Sequence, residues 1–437
     1  MKKIHIAGLL VLSMAACKPD LKTAAPTAGT ANFSVYLAVG NSLTAGYADN
    51  SLYLTGQQNS YPERLSEQFK LVGGGAFKQP LLMSDVGLPT QKLVLGMSTS
   101  CAGVTSLGPV PYPQPVNWAD TVNISAQGPF NNVGVPGIRC IDYIVPGYAN
   151  LAAAGGYPYA KRFFANPAAR PLDEALRIKP TFFTCWLGNN DVLLYATGGG
   201  LGADPGTNPG DISAPAFFDA AYNIVIDSLV ANGAKGALMN IPDVTAIPFF
   251  TTVPINALVL RQGQADSLNA AYGGLNGIHF AAGANNFVVQ DHSGNLKQIQ
   301  TGEYILLTVP QDSLTCAGWG SLKPIPSQYV LTSEEVANVK AATTAYNTTI
   351  QTAATAHGLA YVDMNSYLKT LTSGIVFNGA AYNATFVTGG AFSLDGVHLT
   401  PRGYALAANF IIQNINTQYK ATIPTIDANK YPGVRFP

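Results

Sequence analysis

The strongest constraint on this chain is a set of apolar runs that do not alternate with polar residues. "TFFTCWLG" (181–188) is continuous, Phe33 to Leu37 is another apolar stretch, and "GALMNIPDV" (236–244) reads as the next strand. A strand with one wet face would alternate, whereas a strand covered on both faces reads as an unbroken run. Between the runs lie stretches with helical spacing. These are "YPERLSEQF" (61–69), "PLDEALRI" (171–178), "PAFFDAAYNIVIDSLVANGAK" (215–235) and a long segment from a Thr332–Glu335 capping box to Gly358. "LAYVDM" (359–364) is a further strand, and a last long helix follows "DGVH". Strands alternating with helices predict an α/β fold, a three-layer α/β/α sandwich with a mainly parallel central sheet. Two stretches break the rhythm, near 71–130 and 245–330, and are read as long insertions. The first is rich in Gly and Pro and is expected to be irregular.

Chemistry-bearing residues fall at the ends of these runs. Ser42 sits in "AVGNSLTAGY" after the first strand, Gly137 in the turn of "NNVGVPGIRC", Asn190 in "GNND" after "TFFTCWL", and Asp395 and His398 in "DGVH" before the last helix. In a parallel sheet the C-terminal strand ends share one edge, where ligands bind. Residues far apart in sequence can therefore converge there. A serine hydroxyl is a weak nucleophile until a base takes its proton. His398 can be that base, and Asp395 can hold its tautomer and stabilise the imidazolium. The Ser42 N–H, the Gly137 N–H and the Asn190 amide can donate to a tetrahedral oxyanion. The competing reading makes Ser42 a helix N-cap in an ordinary strand–turn–helix connection.

The stretches "GNSLTAG", "GVPG", "GNND" and "DGVHLTPRGY", in that order, resemble the blocks of the SGNH (GDSL-type) hydrolase superfamily. The resemblance spans most of the chain after residue 31. It implies an SGNH or flavodoxin-like domain over 32–420 and a serine esterase or lipase that needs neither metal nor cofactor. Its substrates would be a lipid, a short-chain ester or an O-acetylated sugar. Asn41 departs from the family's usual Asp. In the family the triad's acid precedes the histidine, so the class is unaffected, while the geometry and charge at the Ser42 turn are in question. A non-catalytic surface binding protein that keeps the fold, or a phospholipase or acyltransferase, is the competing function.

The N-terminus adds a location. "MKKIHIAGLLVLSMAAC" has a basic start, a short apolar stretch and small residues before Cys17. It is too short to span a bilayer and is expected to be a signal peptide (1–16). Ala15-Ala16-Cys17 resembles a bacterial lipoprotein cleavage box, which implies lipidation of Cys17 and an exported protein anchored at a membrane, expected to be the outer membrane. Residues 17–31 read as a flexible tether and 421–437 as a C-terminal tail. With 24 Lys+Arg against 24 Asp+Glu, the chain has no electrostatic footprint for nucleic acid. Cys101, Cys140, Cys185 and Cys316 allow three full pairings, and Cys185 reads as a buried thiol in a strand. Their spacings do not suit zinc. His279, His292 and His357 lack a carboxylate three residues earlier and are read as packed or surface residues. Asn189 is expected to be a turn residue, and Asp191 to brace the loop.

Overall fold

The computed structural model describes residues 25–151 and 157–437. Cys17 and the expected signal peptide lie outside the described residues. Four strands form the central sheet: β1 (Tyr36–Gly40), β2 (Phe182–Trp186), β3 (Lys235–Met239) and β4 (Ala360–Val362), paired in that order and all parallel. Every residue of β1 and β2 is buried, as their unbroken apolar sequences require. The run around Asn131–Val135 lies along the other side of β1. It accepts from the Ala38 N–H at 2.7 Å, and Val133 and Val135 donate to Ala38 and Gly40 at 3.0 and 3.1 Å. It forms one bridge, Asn132 to Ala38.

Helices cover both faces. Tyr61–Lys70 packs with the last helix, Pro401–Tyr419, while Pro215–Val230 packs with Ser333–Ala356. The capping box opens the long helix as expected: Glu335 accepts from the Thr332 N–H at 2.6 Å. The fold is α/β with a parallel central sheet.

The insertions are more regular than their sequences suggest. Leu93–Thr99 pairs antiparallel with Thr105–Pro111 in a long hairpin. Pro109 and Pro111 are two residues apart, so both lack their N–H on the same edge of the ribbon. That edge faces away from the partner strand, because the N–H of Tyr112 points inward to Lys92 at 2.8 Å. The second insertion has small cores of its own, one around Phe287, Ile305 and Val330 and another around Leu260, Leu268 and Phe280. A disulfide joins Cys101 of the first insertion to Cys316 of the second. Cys140 and Cys185 are buried free thiols.

The segment expected to be a flexible tether differs from that reading where it is described. Thr30 donates to the Tyr419 carbonyl at 2.8 Å, Thr422 donates to Thr27 at 2.9 Å, and Ala31 is buried. Residues 27–31 are therefore bound to the end of the last helix rather than part of a free tether. Residues 421–437 also pack on the domain: Ile423 and Ile426 are buried, and the Ile426 N–H donates to Asn409 at 2.6 Å. Both segments offer spaced apolar residues that the helix end would otherwise leave uncovered.

Candidate active site

Gly40 ends β1 where there is no room for a side chain. A Cβ there would lie 2.0 Å from the Thr44 hydroxyl and 2.8 Å from the Trp186 carbonyl. The chain then turns at Asn41 into a one-turn helix, Ser42–Ala45. Asn41 is the N-cap: its side-chain oxygen accepts from the Leu43 N–H at 3.2 Å. The capping duty that could have fallen to Ser42 is thus filled by its neighbour. The Ser42 hydroxyl is free for another partner, and that partner is His398, whose Nε2 lies 2.8 Å from Oγ.

The other ring nitrogen of His398, Nδ1, lies 2.8 Å from Asp395. Asp395 is held from several sides. One oxygen accepts from the His398 and Val397 N–H groups at 2.8 and 2.9 Å and from the Ser393 hydroxyl at 3.0 Å. The other also accepts from the Asn50 N–H at 2.9 Å. Burial works against its charge. The neighbouring His398 and these hydrogen bonds outweigh it and hold the carboxyl well below the usual carboxylate range. A carboxylate this well bound fixes Nδ1 as the protonated nitrogen and leaves Nε2 as an acceptor toward Ser42. The Tyr47 ring, 4.6 Å from the imidazole, backs it on one side.

Asn190 begins the helix Asn190–Thr197 that follows β2, and it lines the same pocket as Ser42 and His398. Its amide donates to the Ile138 carbonyl at 2.9 Å, so it has a second N–H to offer. Gly137 does not line that pocket. It occupies the third position of a turn in which the Ile138 N–H donates to Val135 at 3.2 Å, with Pro136 second and φ of 81° at the glycine. That is a type II turn, which requires a positive φ at this position. The Asn190–Ile138 hydrogen bond joins this turn to the pocket.

Asp191 braces the same loop, as its position suggested. It accepts from the Cys140 N–H at 2.6 Å, and its other oxygen is buried without a hydrogen bond. Burial raises this carboxyl to about 7, and the bond from Cys140 offsets only part of that. Asn189, expected only as a turn residue, is buried, also lines the pocket, and has an unpaired side-chain oxygen.

The other histidines among the described residues are engaged elsewhere. His292 contacts the Gly199 carbonyl and Glu335, and His357 contacts Asp227. The N–H of His279 donates to Gln298. Sequence reasoning missed Asn50, Asp49 and Ser393. Asp49 accepts from the Leu394 N–H, and its own N–H donates to Ser393 at 3.0 Å, so the two loops lock together. The only signal was the turn-forming pair Asp49-Asn50, both with positive φ.

A serine, an imidazole and a bound carboxylate in hydrogen-bonded sequence at a parallel sheet's edge form the constellation of a serine hydrolase. The sequence matches the family described as GDSL-like Lipase/Acylhydrolase over residues 36–411, and the chain belongs to that family. It is a serine hydrolase acting on carboxylic esters. No curated relative and no solved structure matches the chain.

The Asp191 carboxyl has a testable signature. Its folded value is raised, so the folded state holds a proton that the unfolded chain releases near the ordinary carboxylate value. Its contribution to stability is therefore full below about 4 and falls until about 7. Asp191→Asn keeps an acceptor for Cys140 and removes the titration. Denaturant unfolding of this variant should lose that part of the decline, and it should gain stability relative to the parent at pH 7. An unchanged pH slope would place the ionised carboxylate in the native state.

Proposed function

We propose that Ser42 is the nucleophile of a two-step ester hydrolysis, with His398 as base and Asp395 as its orienting carboxylate. The observation that carries this reading is the unbroken pair of 2.8 Å contacts from Ser42 through His398 to Asp395. Ser42 Oγ attacks the ester carbonyl carbon while its proton passes to His398 Nε2. The carbonyl oxygen becomes an oxyanion facing the Asn190 amide and the Ser42 N–H, while Gly137, expected as a third donor, shapes the turn that Asn190 is bonded to. The C–O bond to the alcohol then breaks, and His398 returns the proton to the leaving oxygen. Water, deprotonated by the same imidazole, attacks the acyl-Ser42 carbonyl, the bond to Oγ breaks, His398 returns the proton to Oγ, and the acid leaves. Asp395 stays ionised throughout.

A fluorophosphonate probe should label Ser42 and no other serine, and Ser42→Ala should abolish both labelling and ester hydrolysis. Peptide mapping that put the label elsewhere would remove Ser42 from the mechanism.

Asn190→Ala should lower kcat by on the order of 10²–10³ with KM nearly unchanged, because its bond to the oxyanion exists mainly in the transition state. Asn189→Ala should cost about tenfold at most, since its side-chain oxygen makes no hydrogen bond to lose. Steady-state kinetics on both, with melting temperatures, separates the roles. A larger loss at Asn189 would reverse the assignment.

The protein is further proposed to be exported and held on a membrane by lipid on Cys17, expected to be the outer membrane. The support is the basic, apolar and Ala-Ala-Cys sequence of residues 1–17. Cys17→Ala should shift the protein from the membrane to the soluble fraction while leaving hydrolysis of a soluble ester intact. Full retention in the membrane fraction would place the anchor elsewhere.

A further inference from the structure

Beyond its polar groups, the pocket at Ser42 is walled by Leu43, Leu193, Pro242, Val244, Ile247 and Val397. Leu43, Pro242, Ile247 and Val397 also wall a second cavity. That cavity is a slot between the helix Met364–Ser373 and the last helix, reached by Met364, Leu368 and Leu371 from one and Leu406 and Ala407 from the other. The four shared walls set the slot directly against the space beside the nucleophile, and no charged side chain lines it.

We propose that this slot binds the acyl chain of the ester and selects short to medium unbranched chains. The proposal rests on the reading of Ser42 as nucleophile. The acyl group is the part of the substrate that stays bonded to Ser42 through both steps. It can occupy a recess, whereas the alcohol must depart and water must enter by an open route. The cavity volume is about 50 Å³ at Ser42 and about 70 Å³ in the slot. A water-sized group needs roughly 10–15 Å³ of such space, so the slot itself takes a chain of about five to seven carbons and not a sugar ring. A wider cavity of about 780 Å³ lies by Asn50 and Asp395, between the two insertions, but it shares no wall residue with the Ser42 pocket. It is therefore not the continuation that a chain attached to Ser42 would follow.

The test is a series of p-nitrophenyl esters from acetate to dodecanoate on the full chain. kcat/KM should rise about fourfold per methylene up to hexanoate, as about 0.8 kcal/mol per buried CH₂ converts. It should fall at least tenfold by dodecanoate. Ala407→Leu narrows the slot and should lower the ratio of hexanoate to acetate rates, while Leu371→Ala lengthens it and should move the optimum to longer chains. A flat chain-length profile in a parent enzyme that hydrolyses acetate would overturn the acyl slot and leave the hydrolase reading standing. So would an optimum that neither folded variant moves. Failure of every ester, together with no labelling of Ser42, would instead overturn the underlying reading and the slot with it. Should either variant fail to fold, the parent's profile decides.

Discussion

The site depends on one pairing, that of β1 with β2. Its register sets Gly40 beside Trp186, so both strands end at the same level of the sheet. The residues that leave those ends, Asn41-Ser42 and Gly188-Asn189-Asn190, emerge side by side. A slip of one residue would turn β1's side chains to the opposite face and carry Ser42 away from Asn190. The close approach at Gly40 guards the register, because a Cβ there would meet both the Thr44 side chain and the β2 backbone. His398 comes from more than 350 residues away, and its loop is placed by the clasp between Asp49-Asn50 and Ser393–Asp395.

What was legible in the sequence follows from how local each determinant is. Unbroken apolar runs announced β1 and β2 because burial on both faces leaves no room for polar residues. The residues of the site could be named because each follows such a run or precedes a helix with a clear start. The hairpin at 93–111 was hidden because its prolines fall on the unpaired edge, a property of register that composition does not carry. The helix Met364–Ser373 follows β4 with a single residue between. Its signals, the Asp363 cap and apolar residues at 364, 368 and 371, merge with the end of the strand. Asp49-Asn50 could be read only as a turn, since the role of Asn50 is one backbone N–H pointed at a carboxylate 345 residues later.

Asn41 shows how a departure from a family's pattern can be read physically. Its oxygen caps the helix as a carboxylate would, so the turn that presents Ser42 is preserved. Its Nδ2 is buried without a partner, which costs stability of roughly the order of a lost hydrogen bond. In return, no second carboxylate stands beside Ser42, where the proposed mechanism develops negative charge. A neutral cap spares that oxyanion a like-charge neighbour in a site where little water screens the interaction.

The same economy of charge extends outward. Asp395 is the ionised carboxylate of the site, compensated by the imidazole and by donors from two loops. Asp191, one shell away, is buried with only one backbone donor and is driven toward its neutral form. Two carboxyls of identical chemistry are thus pushed in opposite directions, burial dominating at Asp191 and the His398 charge with the surrounding donors dominating at Asp395. One balances the positive charge that appears on His398 in the proposed mechanism. The other holds the Cys140 loop without placing a full negative charge behind the turn that carries Gly137. The local hydrogen bonds therefore set the field at Ser42 as much as the choice of residues does.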